Sequence, residues 1–394
     1  MRLFRKVKKT SANDKLIAEV AKNMCCSKRK AKAAMDDVKE RLGVSYKSYV
    51  KYDFHLLSPE AQKKKAKRIE EKKANAQKIV AESVAKVAAA TGEDPVVVKK
   101  KISEARKRTG IGFDEYAKYE FWKLSKEEQA AFYTRGVGNA LTEKYNTNKE
   151  GRSIFANKSI FDKTFDKYLN RMWFFNKEIT LEEFKEKMAD QTRVIYKPII
   201  SSQGKGVEAF DVDQDKLDEM YEMFCSFPKG VVEECIVQHP EMARFSKNAV
   251  NTIRTVTIFK DDKVNIVYAA VKMGGGDSVV DNVHISGGVV TPLDVETGKV
   301  RHKASDFEGN LYTHHPVTGE YIMDLQVPFW DEYKEYMDKL CRVVDGINYI
   351  GWDIAISDKG PVVIEANFKP SPSLIQIPFF KERIGMKHIV EDYL

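Results

Sequence analysis

Trp352-Asp353-Ile-Ala-Ile-Ser357-Asp358-Lys359-Gly360-Pro361-Val-Val-Ile364-Glu365-Ala366-Asn367 reads as a β-hairpin, because two apolar, β-branched runs flank a Ser-Asp-Lys-Gly turn. Side chains alternate along a strand, so Glu365 and Asn367 share a face, and the pairing brings both beside Asp353. Two carboxylates and an amide oxygen at one end of a hairpin suit Mg²⁺, a hard cation that keeps several waters and bridges to nucleotide phosphates. The competing reading is a polar, solvated hairpin end, and the motif by itself is too short to decide.

A second segment bears on that choice. Val194-Ile-Tyr-Lys197-Pro198-Ile-Ile is an apolar strand bearing one lysine, and it runs into Ser201-Ser202-Gln-Gly204-Lys205-Gly206-Val207. Small residues let backbone N–H groups close over an anion, while Lys197 and Lys205 add positive charge, so the segment reads as a phosphate-covering loop. It is not a Walker loop, since the lysine precedes the glycines on a strand instead of opening a helix after them. A lone Gly-Lys-Gly turn also suits an ordinary hairpin; the downstream carboxylate hairpin favours the phosphate reading.

The order of these motifs resembles the ATP-grasp superfamily. Val232-Glu233-Glu234-Cys235-Ile236-Val-Gln238-His239, Asn251-Thr252-Ile-Arg254-Thr-Val-Thr, Asp281-Asn282 with Gly287-Gly288, Asp294 to Thr297-Gly298, and Gly351-Trp352-Asp353 are together similar to its sugar-transfer-associated branch, over about residues 150 to 394. The resemblance implies an α/β (α+β) fold in which two subdomains, 150–236 with the glycine loop and 237–394 with the metal site, clamp ATP and Mg²⁺. It implies that Lys158 and Lys197, with Ser202, Gly204, Lys205 and Gly206, address the nucleotide phosphates. It also implies that Glu233 or Glu234 accepts from the adenine amino group, that the backbone at Cys235 and Ile236 reads the ring edge, and that Gln238 is a ribose candidate. Asp353, Glu365 and Asn367 then hold the metal, and Arg254, Lys272 and Asn282 are the catalytic candidates. A guanidinium suits charge developing on a transferred phosphoryl group, which calls for planar multidentate donors.

Each residue has a plainer role available. Arg254 and Lys272 sit on strands and suit sheet ion pairs; Asn251, Asp281 and Asn282 suit turn caps; His239 reads as a loop residue. The seven histidines show no ligand spacing. The implied activity is ATP-dependent carboxylate–amine ligation through an acyl phosphate, on a small-molecule or glycan substrate: a sugar, uronate or amino acid of a surface glycan. A sugar kinase is the runner-up, and an inactive nucleotide-binding scaffold is a third reading, opposed by the retained Asp353, Glu365 and Asn367.

Composition agrees with an intracellular enzyme. The five cysteines include no CxxC pair, the basic start lacks the apolar stretch of a signal peptide, and no run reaches the ~18 apolar residues of a membrane span, which reads as cytoplasmic or membrane-peripheral. Charge divides the chain: residues 1–110 hold 30 Lys+Arg against 13 Asp+Glu, and the remainder 36 against 45. A cationic N-terminal region of about residues 1–130 therefore precedes an acidic body and would attract anionic lipid, nucleic acid or an acidic glycan; no zinc-finger or RNP motif points to nucleic acid, and the family resemblance favours an anionic membrane surface or a carrier-linked substrate.

That region repeats itself. Arg41-Leu-Gly43 to Gln62 aligns without gaps on Arg108-Thr-Gly110 to Gln129, an offset of 67 that also relates Tyr46, Tyr49 and Tyr52 to Phe113, Tyr116 and Tyr119. Two helical modules follow, about 27–62 and 94–129. Gly43 and Gly110 are expected as helix C-caps, Ser58 and Ser125 as N-caps, and a Lys/Ala/Glu-rich helix from about Ser58 to Ala90 joins the modules. The aromatic stripe reads as core, because each module is too small to fold without burying it.

Overall fold

In the computed structural model of the chain, which describes residues 11–199, 206–246, 249–276 and 287–394, the two basic segments are helices Lys28–Leu42 and Pro95–Thr109. Each begins where a side chain, Ser27 or Asp94, accepts from a backbone N–H, and each ends at a left-handed glycine, Gly43 at φ +66° and Gly110 at φ +70°. Short helices Tyr46–Lys51 and Phe113–Lys118 follow, then Asp53 and Glu120, both at positive φ, turn the chain into 3-10 segments Phe54–Leu56 and Phe121–Lys123. Gln62 and Gln129 close the modules identically: each amide donates to two carbonyls of the preceding turn, and Arg41 or Arg108 donates to its oxygen. The stripe is core in part. Tyr49 and Tyr116 are buried, as is Tyr119, whereas Tyr52 is half-buried.

The duplication extends further toward the N-terminus than the sequence shows. Helix Ala12–Asn23 buries Ile17 and Val20 ahead of the first module, and the same offset lands on Val84 and Val87, both buried, in the last turns of helix Pro59–Thr91. Cys25 and Gly92 both take positive φ just before the caps Ser27 and Asp94. Each repeat is therefore a helix, a basic helix, a short helix and a turn.

Two compact units, Met1–Lys86 and Val87–Leu394, make up the chain. The division falls well before residue 130, because the second module packs into the body: Gly136 N donates to Gly110 O at 3.1 Å, and Tyr119 meets Phe380 with ring centroids 5.6 Å apart. In the first unit, Met35, Tyr49, Phe54 and Ile69 join Ile17 and Val20 in a small separate core.

The larger unit holds two antiparallel sheets. Strands β1 (Trp173–Phe175), β2 (Arg193–Pro198), β3 (Glu208–Asp211) and β4 (Gly230–Glu234) form one in the order β1-β4-β2-β3, covered by helices Leu181–Met188 and Leu217–Ser226 through Phe184 and Phe224. Strands β5 (Thr252–Lys260), β6 (Lys263–Met273), β7 (Val289–Pro292), β8 (Ala304–Ser305), β9 (Leu311–Tyr312), β10 (Tyr349–Ser357) and β11 (Gly360–Asn367) form the other, in the order β11-β10-β5-β6-β7-β8-β9. Apolar side chains cover both faces of this sheet: Ile253, Trp352 and Ile354 pack under helix Trp330–Cys341, and Val256, Ile258 and Tyr349 pack under helix Arg135–Tyr145 and the C-terminal segment. Arg254 thus shares its strand face with a second core, where period-2 alternation alone suggests one buried face and one open one. Helix Lys158–Leu169, expected with the glycine-loop subdomain, instead sends Phe161, Phe165 and Leu169 into the core of the large sheet beside Trp352.

Candidate functional site

The hairpin of the opening motif is β10–β11, and its strands pair so that Asp353 faces Glu365 and Gly351 faces Asn367. On the other side of β10, Asp353 pairs with Arg254 of β5, and Lys272 of β6 lies opposite Thr252, so four strands line up two carboxylates and two cations. Arg254 grips Asp353 with both prongs, Nε and Nη2 each donating at 2.8 Å, and Lys272 Nζ lies 3.2 Å from Oδ1. All three are buried. Burial pushes the Asp353 carboxyl up, but Arg254 and Lys272 more than offset it and hold it well below the usual carboxylate range. Glu365 keeps an exposed surface, but the protein packed around its carboxyl and the Asp353 charge alongside raise its pKa.

The small sheet presents a second cluster. Lys197 Nζ and Arg171 Nε both donate to Glu233 Oε2 at 2.8 Å. Burial disfavours the Glu233 carboxylate, but the two cations hold its pKa down at about 2. Arg171 also reaches the large sheet, Nη1 donating at 2.6 Å to Val363 O, two residues before Glu365. It therefore ties the two sheets together, and its buried Nη2 has no partner among the described residues. Asp162, buried on helix Lys158–Leu169, completes the cluster: burial and the neighbouring Glu233 raise its pKa to about 7, against Arg171, Lys197 and Lys158.

Neither Arg171 nor Asp162 belongs to a readable motif. The available signal was local: Asn170 takes the left-handed conformation that ends the helix, so Arg171 starts a new direction at the sheet junction. Lys158 opens that helix, capped by Asn157, and is half-buried. Ser202, Gly204, Lys205, Asp281 and Asn282 lie outside the described residues. Gly206 is at φ +74°, with space for a Cβ closed to 3.0 Å by Pro198, so Gly206 itself packs against the end of the strand that bears Lys197.

Three expected nucleotide contacts also have partners within the chain. Glu234 accepts from Met172 N at 3.0 Å and so pins β1; Cys235 N donates to Arg193 O at 3.2 Å. Gln238 uses both ends of its amide on backbone, donating to Ala249 O at 2.9 Å and accepting from Asn251 N at 2.7 Å, which ties the segment after β4 to the residues that lead into β5. Ile236 is half-buried beside them. Asn251 is a structural knot, bonded to Met242 O and Gly274 N as well. His239 caps helix Pro240–Ala243, as a loop residue does.

No group of three or more His, Cys, Asp and Glu side chains converges as a metal cage among the described residues. Asp353, Glu365 and Asn367 nevertheless fit a divalent cation of the kind that keeps most of its waters, since Glu365 and Asn367 line an open edge and Asp353 is ionised.

A profile of the sugar-transfer associated ATP-grasp family matches residues 138–387. The chain belongs to that family, and its fold is the ATP-grasp fold preceded by a helical N-terminal region. No curated protein matches the sequence. Among solved structures, the ATP-grasp ligase PsnB complexed with minimal precursor is 13% identical at a TM-score of 0.34, over 61% of this chain and 57% of that one. D-alanyl-alanine synthetase A from Vibrio cholerae O1 is 12% identical at 0.34, over 66% and 63%. An N5-carboxyaminoimidazole ribonucleotide synthetase in its ADP complex is 10% identical at 0.34, over 56% and 46%. The chain thus spans less than two thirds of the length of each of these neighbours. No helix among the described residues is long and apolar enough to cross a membrane.

Proposed function

We propose that the protein is an ADP-forming carboxylate–amine ligase acting on a sugar, uronate or amino acid in surface-glycan biosynthesis. The observation that supports this most is the row Glu365–Asp353–Arg254 with Lys272, which sets a metal-type oxygen edge beside two fixed cations. Lys158, Lys197 and the glycine loop hold the triphosphate, and the Glu233–Ile236 strand end receives the base. Mg²⁺ bound by Asp353, Glu365 and Asn367 would neutralise phosphate charge. Arg254 is held by Asp353 so that its guanidinium keeps one orientation without reorganising as charge develops on the transferred phosphoryl group. Lys272 adds a second donor to that wall, with Asn282 as a further candidate. The acceptor's carboxylate takes the γ-phosphoryl group, and an amine then displaces phosphate from the acyl phosphate, leaving an amide, ADP and free phosphate.

Lys197 has a partner to exchange. It rests on Glu233 at 2.8 Å, and a triphosphate offers it a stronger one, while Arg171 remains to compensate the carboxylate. The basic N-terminal region, cytoplasmic at the membrane periphery, draws an anionic surface or a carrier-linked substrate to the enzyme.

Phosphate balance tests the reading. Nucleotide sugars, uronates and amino acids are screened in pairs for ADP release with Mg·ATP. Ligation requires both a carboxylate and an amine and gives free phosphate equal to ADP with an amide mass increment. ADP formed from one hydroxylated acceptor, with a phosphoryl increment and no free phosphate, would make the protein a kinase. Mg·ATP stabilisation in a thermal-shift assay with no turnover on any pair would favour the nucleotide-binding scaffold, and absence of any stabilisation would overturn the ATP-dependent reading altogether.

A further inference from the structure

The two repeats share one backbone face, and the two copies differ in what covers it and in the charge at its edge. In the second repeat a chain segment lies on it: Thr134 Oγ1 donates to Thr109 O at 2.6 Å, Gly136 N donates to Gly110 O at 3.1 Å, and Arg135 N donates to Glu115 at 3.0 Å. The backbones approach so closely that a Cβ on Gly110 would stand 2.5 Å from Gly136 Cα. Asp114 fixes the segment by charge, its two oxygens accepting from the Arg135 guanidinium at 3.2 and 2.6 Å.

In the first repeat the corresponding glycine, Gly43, has a similar φ and, among the described residues, no neighbouring atom within 4 Å of where its Cβ would stand. Tyr52, which corresponds to the fully covered Tyr119, is half-buried, and Leu56 is 75% exposed. Charge at the anchoring position is reversed. Lys47 and Ser48 stand where Asp114 and Glu115 receive Arg135, and Lys51 and Lys65 lie 5.4 and 4.6 Å from the centre of the Tyr52 ring. The neighbouring acids only partly offset this edge: Asp36 is paired with Lys32 and Asp37 with Arg41, which leaves Glu40, Asp53 and Glu60 against Lys39, Lys47, Lys51 and the Lys63-Lys64-Lys65 run.

We propose that this face of the first repeat is a docking site for an acidic peptide segment of a protein partner, which lies across Gly43 as residues 134–136 lie across Gly110 and sets a carboxylate against Lys47. A glycine C-cap alone would not imply this, since helices commonly end so. The inference rests on the occupied copy, which shows what the face accepts, and on the reversed charge, which shows what its occupant must carry. It is independent of the reading of the ATP site.

The test uses the full chain and two labelled peptides spanning residues 132–145, one of native sequence and one with Arg135→Glu. Fluorescence anisotropy is expected to give at least tenfold tighter binding of the Arg135→Glu peptide. Lys47→Glu, an exposed change that leaves the melting curve unaltered, is expected to reverse the preference toward the native peptide. Failure of both peptides to bind at millimolar concentration overturns the proposal. So does a preference that Lys47→Glu leaves unchanged, or a dimer of the chain in analytical ultracentrifugation that Lys47→Glu dissolves, which would put a second copy on the face. Anionic vesicles that displace the Arg135→Glu peptide from wild type, with half-displacement unaffected by Lys47→Glu, would assign the charge to lipid and overturn it equally.

Discussion

Asp353 faces two cations, and they are not equivalent. Arg254 holds both oxygens in a planar fork, whereas Lys272 approaches one of them as a point charge at 3.2 Å. Stripping one partner from a buried ion pair costs about 3–5 kcal/mol when nothing else compensates the remaining charge. Arg254→Met is therefore expected to destabilise more than Lys272→Met in urea denaturation, by on the order of 1–2 kcal/mol, since the fork contributes two charge-assisted hydrogen bonds and the lysine one. Equal losses would mean that net charge, and not geometry, holds Asp353. A second prediction concerns Asp162, whose ordinary value near 3.8 is raised to about 7. A raised carboxyl pKa means that the folded state resists ionisation, so the stability this group contributes is complete below pH 3.8 and is lost as pH rises to about 7. Asp162→Asn should thus gain stability relative to wild type across that window, by on the order of 1–3 kcal/mol at pH 8 against pH 4. Paired thermal melts at the two pH values decide it; a difference that does not change with pH would mean that Arg171 and Lys197 already accommodate the charge.

Elements show where sequence reading succeeds and where it stops. Gly43 and Gly110 both end helices in the left-handed region, where an L side chain costs roughly 1–2 kcal/mol. Gly43→Ala should incur that cost alone, because the space around it is open. Gly110→Ala must also push a Cβ into the backbone of Gly136, and overpacking of this kind adds about 1–3 kcal/mol. Denaturant midpoints of the two variants, each read in its own unit by a local fluorescence probe, are expected to differ accordingly; equal shifts would show that the segment at Gly136 yields. The repeat was legible because its turns impose residue types: glycine for positive φ, serine for caps, glutamine to close the turn. Its first helix was not, since a helix needs only buried apolar residues at the right spacing, and Ile17 and Val20 share that spacing with Val84 and Val87 but little else. Likewise the β10–β11 hairpin was legible from alternation and its turn. Its strand nonetheless starts at Tyr349, because neighbours on both sides bury Tyr349 and Ile350. Arg171 and Asp162 escaped notice because their roles arise from two sheets meeting, which no local pattern encodes.

At the scale of the whole molecule, the cationic composition of the N-terminal region conceals a division that packing makes elsewhere. The charge imbalance ends near residue 110, yet the second repeat is built into the larger unit through Gly110, Tyr119 and Glu115, the last accepting from Arg135 N. Truncation to residues 79–394 keeps that repeat whole and is expected to leave the melting transition of the larger unit, and its Mg·ATP thermal shift, within error of the full chain. Truncation to residues 131–394 uncovers Phe132 and Phe380 and strands the segment that lies on Gly110. Burial of a single large apolar side chain stabilises by about 1.5–3 kcal/mol, so exposing several should lower the transition well below that of the longer fragment or abolish soluble expression. The two fragments also separate charge from fold. If 79–394 loses salt-sensitive retention on anionic vesicles while keeping its nucleotide response, the lysines ahead of residue 79 serve the partner and the second repeat serves the enzyme. Were 131–394 to melt like 79–394, the second repeat would be a passenger on the body, and the packing at Gly110 would contribute nothing measurable to it.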